Sequence, residues 1–338
     1  MIARSLPALL LLLALSAGTD CPPSYEAAPE SRREISAGTL TGFADSGDTW
    51  TWLGIPYARP PVGALRWRAP LPAQPWEGEL QATAWSAMCP QLPIPLVNRT
   101  SRSWLGDEDC LYLNVSAPRS WQPSDPPLPV MVWMHGGGNS VGDAGQYPAL
   151  RNLAATGEVI TVSIHYRLGI LGWFSAPALR ELADSPLDAS GNFGTLDTIL
   201  ALQWVQDNIS VFGGDPGNVT VFGESAGGIN TFALLLSPLA GGLFHRAISQ
   251  SGILVTSDTE LAENRVDEAP AGHPNSSGEL LLRLLLDEGL AKDRQAATDL
   301  LATWSARQTM QYLRSKPPEV LLQQMQNREM GLYPFPFH

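Results

Sequence analysis

Apolar and polar positions along the 338-residue chain follow two periods, and the switches between them mark out its elements. Residues 39–43 and 49–55 alternate around Asp45-Ser46-Gly47-Asp48, which predicts an early β-hairpin. Residues 110–115 predict another strand. Residues 130–135 are apolar on both faces, as strands inside a covered sheet are, and residues 159–164 predict a third strand. Leu196, Ile199, Leu200, Leu202, Trp204 and Val205 recur at helical spacing within residues 194–208. The Gly-Gly-Asp-Pro-Gly run at 213–217 then turns the chain into a β-branched strand, Val-Thr-Val-Phe at 219–222. Residues 229–236 read as a buried helix and 247–251 as a short strand. Strands alternating with helices predict an α/β fold around a mainly parallel central sheet with covered faces.

After Asp258 the character changes. An acidic, Pro-containing loop runs to Gly278, and helical patterns follow at 279–290, 294–301, 306–314 and 318–326. Upstream, the prolines of residues 54–63 forbid helix, and Pro- and Trp-rich sequence to Pro95 predicts a covering layer over the first strands. The first residues are of another kind. Arg4, the apolar run 6–15 and Ser16-Ala17-Gly18 have the layout of an export signal, so the expected organisation is a leader at 1–18 and one folded unit at 19–338.

Composition narrows the class. With 44% hydrophobic residues and 11 Trp, 9 Phe and 7 Tyr, the chain can fill a large core and is not a disordered one. Its net charge of −12 argues against nucleic-acid binding and against docking on anionic membranes. Of three cysteines, Cys89 and Cys110 flank a Pro- and Trp-containing loop and are expected to pair in an oxidising compartment, leaving Cys21 odd. No Cys/His spacing suits a metal, and nothing implies a cofactor.

The candidate chemistry lies at Gly223-Glu224-Ser225-Ala226-Gly227. A strand before it and a helix after it make this Gly-x-Ser-x-Gly pattern a nucleophile elbow, in which a strained turn lifts the Ser225 hydroxyl above the sheet. Acyl transfer also needs donors for the developing oxyanion. His135-Gly136-Gly137-Gly138 follows a predicted central strand, and its glycines leave backbone N–H groups unobstructed; the N–H of Ala226 would be a further donor.

Several blocks together resemble the type-B carboxylesterase family, which also contains the cholinesterases. They are Gly54-Ile55-Pro56-Tyr57-Ala58, the Glu-Asp-Cys-Leu-Tyr-Leu-Asn-Val run at 108–115, the 135–138 loop and Tyr166-Arg167-Leu168-Gly169. Gly191-Asn192-Phe193-Gly194, Phe212-Gly213-Gly214-Asp215-Pro216, the elbow and Ser249-Gln250-Ser251-Gly252 complete the series, over residues 36–338. The resemblance implies an α/β-hydrolase fold and hydrolysis of a small-molecule ester through an acyl-Ser225 intermediate. It also implies an oxyanion hole from Gly137, Gly138 and Ala226, a Cys89–Cys110 bridge, and a Ser251 that supports the acid of the triad.

This chain departs from the family pattern in three places. Asn139 stands where an aromatic is usual, so that wall of the substrate pocket is expected to differ, and His165 stands where Asn is common and reads as structural. The third departure is an absence. In this fold the acid and the His follow the Ser, but only 113 residues follow Ser225 and none of His245, His273 and His338 has the catalytic context. The expectation is a hydrolase chain that stops before its last strands, its acid and its base, leaving an uncovered edge. A binding or adhesion protein on the same fold, or an inactive shortened product, remains the alternative.

Overall fold

A computed structural model describes residues 24–93, 104–146, 149–254 and 256–325. The leader at 1–18, Cys21 and His338 lie outside these residues.

Among the described residues ten strands form two sheets. A small sheet is built from β1 (Arg33–Ile35), β2 (Gly38–Thr41) and the distant β5 (Glu79–Gln81). The main sheet takes β3 (Phe43–Asp45), β4 (Thr49–Pro56), β6 (Tyr112–Pro118), β7 (Leu128–Met134), β8 (Ile160–Ile164), β9 (Gly214–Glu224) and β10 (Arg246–Gln250) in the order β10-β9-β7-β8-β6-β4-β3. The expected hairpin is therefore divided. Residues 43–45 pair with β4, whereas residues 38–41 turn away into the small sheet.

The main sheet is mixed, and its two halves have different origins. β10, β9, β7 and β8 run parallel, whereas β6, β4 and β3 join as an antiparallel meander. Parallel neighbours need crossovers. These are supplied by the helices Ala149–Gly157, Phe193–Asn208 and Ala226–Leu236, of which the sequence pattern missed the first. Of the Gly-Gly-Asp-Pro-Gly run, Gly213 makes the expected turn with φ 93°, but residues 214–217 already belong to β9. Gly214 pairs with Leu128 and Val219 with Val130, so residues 215–218 bulge out within the strand.

One hydrophobic cluster runs from Ile35 through the sheet to Met325. At its centre Trp52 meets Phe212 edge-on at 4.7 Å between ring centroids. The later helices join the same core through Leu280, Leu284, Met310, Leu313, Leu321 and Leu322. Their starts are fixed by side chains: Ser276 accepts from the Glu279 N–H, Asp293 from Ala296, and Ser305 with Gln308 forms a capping box. A short helix, Thr259–Glu263, interrupts the segment expected to be loop.

Two buried ion pairs tie this layer together. Arg167 holds Asp197 through Nε at 2.8 Å and Nη2 at 2.7 Å, with side chains 3% and 0% exposed. It thereby joins the segment after β8 to the helix Phe193–Asn208. Arg66 pairs with Glu108 through two nitrogens, and its Nη1 also donates to the carbonyl of Lys316 at 2.6 Å. Removing one partner of such a pair would strand a buried charge at a cost of about 3–5 kcal/mol.

Among the described residues β10 has one neighbour, β9, and the surface beside it is apolar. Leu236 is 65% exposed, Ile253 64%, Leu254 60% and Ile248 45%. An unpaired edge bordered by exposed leucine and isoleucine is a self-association surface. The purified chain is expected to associate as its concentration rises through the micromolar range, as read by light scattering. Replacing Ile253 and Leu236 together with Lys should shift that onset at least several-fold upward; an unchanged onset would assign the association to another face.

Candidate active site

The site forms where the parallel strands β7 and β9 end side by side. In open α/β sheets ligands bind outside the carboxyl ends of the strands, and both motifs singled out in the sequence reach that rim. β9 ends at Glu224, and Ser225 takes φ 55° and ψ −116° before the helix Ala226–Leu236 begins. A non-glycine residue with such angles is strained and persists only where its surroundings fix it. Here the Ser225 N–H donates to the Gln250 carbonyl at 2.8 Å, and the Ser225 carbonyl accepts from the Ile229 N–H at 3.0 Å. The turn is thus held by β10 on one side and by its own helix on the other.

Gly227 lets this elbow sit against β7. A Cβ there would lie 2.1 Å from the Met134 carbonyl oxygen, closer than any side-chain carbon approaches. The loop leaving β7 is consequently drawn up to the serine. A Cβ on Gly136 would stand 3.3 Å from the Ser225 Cβ. The next three residues, Gly137, Gly138 and Asn139, all have left-handed backbones, with φ 108°, 60° and 53°. The turn closes when the Ser140 and Val141 N–H groups both donate to the Gly137 carbonyl at 3.1 Å. Among the described residues the N–H groups of Gly137 and Gly138 meet no protein acceptor. Ala226 opens its helix, and a first helical N–H has no partner within the helix.

His135 holds the base of this loop. Its ring stacks on Tyr166 at 4.5 Å, its Nδ1 donates to the Gly136 carbonyl at 2.8 Å, and the Tyr166 hydroxyl donates to the His135 carbonyl at 2.6 Å. Burial lowers its pKa to about 4, so the ring is neutral at pH 7. His165, read from the sequence as structural, is buried between Asp143, 2.9 Å from its Nε2, and Ser86, 3.3 Å from its Nδ1. His245 accepts at Nδ1 from the Val219 N–H, and His273 from that of Asn275. Among the described residues no side chain hydrogen-bonds the Ser225 hydroxyl, and none of these four histidines is engaged with it.

Ser251 follows β10 at the same rim, exposed and with φ 54°. Ser249, from the same block, donates its hydroxyl to the Gly228 carbonyl at 3.0 Å and binds β10 to the elbow helix, a role the motif did not assign. Asn139 does not form an open pocket wall. It is fully buried and hydrogen-bonded to Asn230. Cys89 and Cys110 form a disulfide with Cα atoms 5.0 Å apart. A cleft of about 760 Å³ lined by Trp50, Arg119, Trp121 and Gly214 opens at the opposite ends of β7 and β9, away from Ser225.

The profile of the carboxylesterase family matches residues 29–337. The chain belongs to that family. It is 39% identical over 304 residues to a medium-chain fatty acyl-CoA hydrolase precursor of Anas platyrhynchos, covering 85% of this chain and 53% of that protein. Carboxylesterase 1D of Rattus norvegicus is 48% identical over 226 residues, 64% of this chain and 38% of the relative. A thermophilic PNB esterase of known structure superposes with a TM-score of 0.67 at 37% identity, covering 87% of this chain and 53% of that one. The chain thus spans about half the length, or less, of the relatives it matches, and its fold is that of an α/β-hydrolase.

Two outcomes follow from the geometry. Gly227→Ala should destabilise the chain by about 1–3 kcal/mol or more, because strand and helix backbones would have to part; a denaturant midpoint within error of the parent would contradict the contact. The second concerns acid. His135 is neutral in the fold, with a pKa lowered from 6.5 to about 4, so its stabilisation is complete above about pH 6.5 and is lost as pH falls towards 4. His273, also lowered by burial, acts in the same direction. The melting temperature should decline across that window, by an amount equivalent to about 3 kcal/mol for His135 at most, and His135→Asn should flatten the decline.

Proposed function

We propose that this chain carries the nucleophile and the oxyanion-binding part of a serine carboxylic ester hydrolase. The reading is supported by a strained Ser225 at the end of β9, with the loop that carries Gly137 and Gly138 drawn up beside it and Ala226 opening the helix that follows. In the proposed reaction the Ser225 oxygen attacks the ester carbonyl and its proton passes to a base. The carbonyl oxygen becomes an oxyanion held by the N–H groups of Gly137, Gly138 and Ala226, each worth about 10²–10³-fold in rate in comparable sites. Collapse expels the alcohol and leaves an acyl-Ser225, which water then hydrolyses to the carboxylate. Ser251 is proposed to support the acid that orients the base. A leader at 1–18 and a folded hydrolase unit at 19–338 complete the proposal, and a disulfide at Cys89–Cys110 suits an exported protein.

The relatives' names, an acyl-CoA hydrolase and carboxylesterases, agree on an acyl ester or thioester as the bond attacked. Nothing in the residues around Ser225 selects one acyl or alcohol group.

With no histidine or carboxylate bonded to Ser225 among the described residues, turnover by the 338-residue chain should be of the residual kind, about 10³–10⁴-fold over water. The test is hydrolysis of p-nitrophenyl acetate by the purified chain alongside Ser225→Ala. Weak release at a similar rate in parent and variant is the expected outcome, since the residual rate comes from the donors and binding rather than from the serine. Acetylation by the ester of another residue in place of Ser225, read by peptide mass spectrometry, would overturn the assignment, and vigorous Ser225-dependent turnover would show that a base is present after all.

A further inference from the structure

The oxyanion-type loop and the nucleophile helix come from parts of the chain 91 residues apart, and a pair of side-chain amides joins them. Asn139 Nδ2 donates to Asn230 Oδ1 at 3.2 Å, and Asn230 Nδ2 donates back to Asn139 Oδ1 at 3.0 Å. Both residues are shut off from solvent, at 0% and 2% exposure. We propose that Asn139 and Asn230 are positioning residues, a brace that sets the loop 136–141 on the elbow helix so that its N–H groups face the Ser225 reaction. The proposal rests on the functional reading of Ser225 given above.

The geometry argues for a brace in three ways. A reciprocal amide pair has one donor and one acceptor on each side, so it fixes both the separation and the rotation of the two elements. An apolar contact of the same area would leave sliding possible. Asn139 also occupies the position directly after Gly138, with φ 53°, a conformation that Asn adopts more readily than most side chains. Finally, each end of the brace is itself anchored. The Asn139 carbonyl accepts from the Gly169 N–H at 2.6 Å, and Thr231, next to Asn230, donates its hydroxyl to the Gly227 carbonyl at 2.9 Å. Movement of Asn139 is therefore movement of Gly138 relative to Ala226, the two proposed donor positions from different elements.

Misplacing donors by about 1 Å can reduce rate by about 10²-fold without any change in the reacting groups. The experiment uses the full 338-residue chain with Asn139→Gly, Asn230→Ala, the double variant and Ser225→Ala. Asn139→Gly keeps the left-handed backbone accessible, so its effect reports the lost amide rather than new strain. Two quantities are read for each: the rate constant for phosphonylation of Ser225 by a fluorophosphonate, and hydrogen exchange of the amides of residues 136–141, with the melting temperature as control.

Each single variant should lower the labelling rate about 10–100-fold, and the double variant should lose no more than the worse single one. Exchange in residues 136–141 should quicken at least tenfold while β7 and β9 stay protected. Labelling within twofold of the parent in both single variants would overturn the brace, as would losses that multiply in the double variant. Exchange that rises throughout the sheet in both single variants would make the pair a general core contact and also refute the proposal. Labelling that survives in Ser225→Ala would refute the functional reading instead, and the exchange data would still decide whether the amides hold the loop.

Discussion

The site depends on a place where two backbones touch. Gly227 lies against the last carbonyl of β7, at a distance that leaves no room for a side chain. That contact brings the end of β7 and the start of the elbow helix together, and everything of chemical interest is attached to one or the other. Ser225 precedes the helix and the 135–138 loop leaves the strand, so their proximity needs no long flexible connection. Strain at Ser225 is sustained because Gln250 on β10 and Ile229 on the helix both hold its backbone.

Around this contact, polar groups do most of the locating and apolar groups most of the stabilising. His135, which motif reading groups with the glycines, acts as a neutral post between Tyr166 and Gly136 rather than as a titrating group at pH 7. Arg167 and Asp197 fasten the segment after β8 to the crossover helix, and Arg167 also spans to the Arg68 carbonyl at 2.9 Å. Buried charges are weak sources of stability when compared with well-packed apolar residues. Their value here is directional, since a bidentate guanidinium fixes the orientation of both partners.

How much was legible follows from how local each feature is. Val219, Val221 and Phe222 announce a buried strand by themselves, and the glycines around Ser225 announce the turn, because both signals lie within a few residues. The divided hairpin was not legible, since β2 takes its partner Leu80 from about forty residues away and its strand is only four residues long. The bulge in β9 was hidden by Pro216 and Gly217, which carry the composition of a turn whether or not the strand continues past them. Asn139 is the clearest case at the site. Sequence identified it as a departure, but its meaning lay in Asn230, and no periodicity or spacing connects the two.

The clamp at Arg66 bears on how such a chain can be made. Its guanidinium bonds the carbonyls of Arg314 and Lys316, across 248 and 250 positions, and the Arg314 guanidinium returns a bond to the Arg66 carbonyl. A ribosome delivers Arg66 long before it delivers Lys316. During that interval the guanidinium has Glu108 for company but no carbonyl cage, and the apolar surface destined for Leu313 and Leu321 stays open. Contacts of such long reach arrive late and slow the search for the folded state. The covering layer around Arg66 thus gains these bonds only after residues 314–316 have been translated.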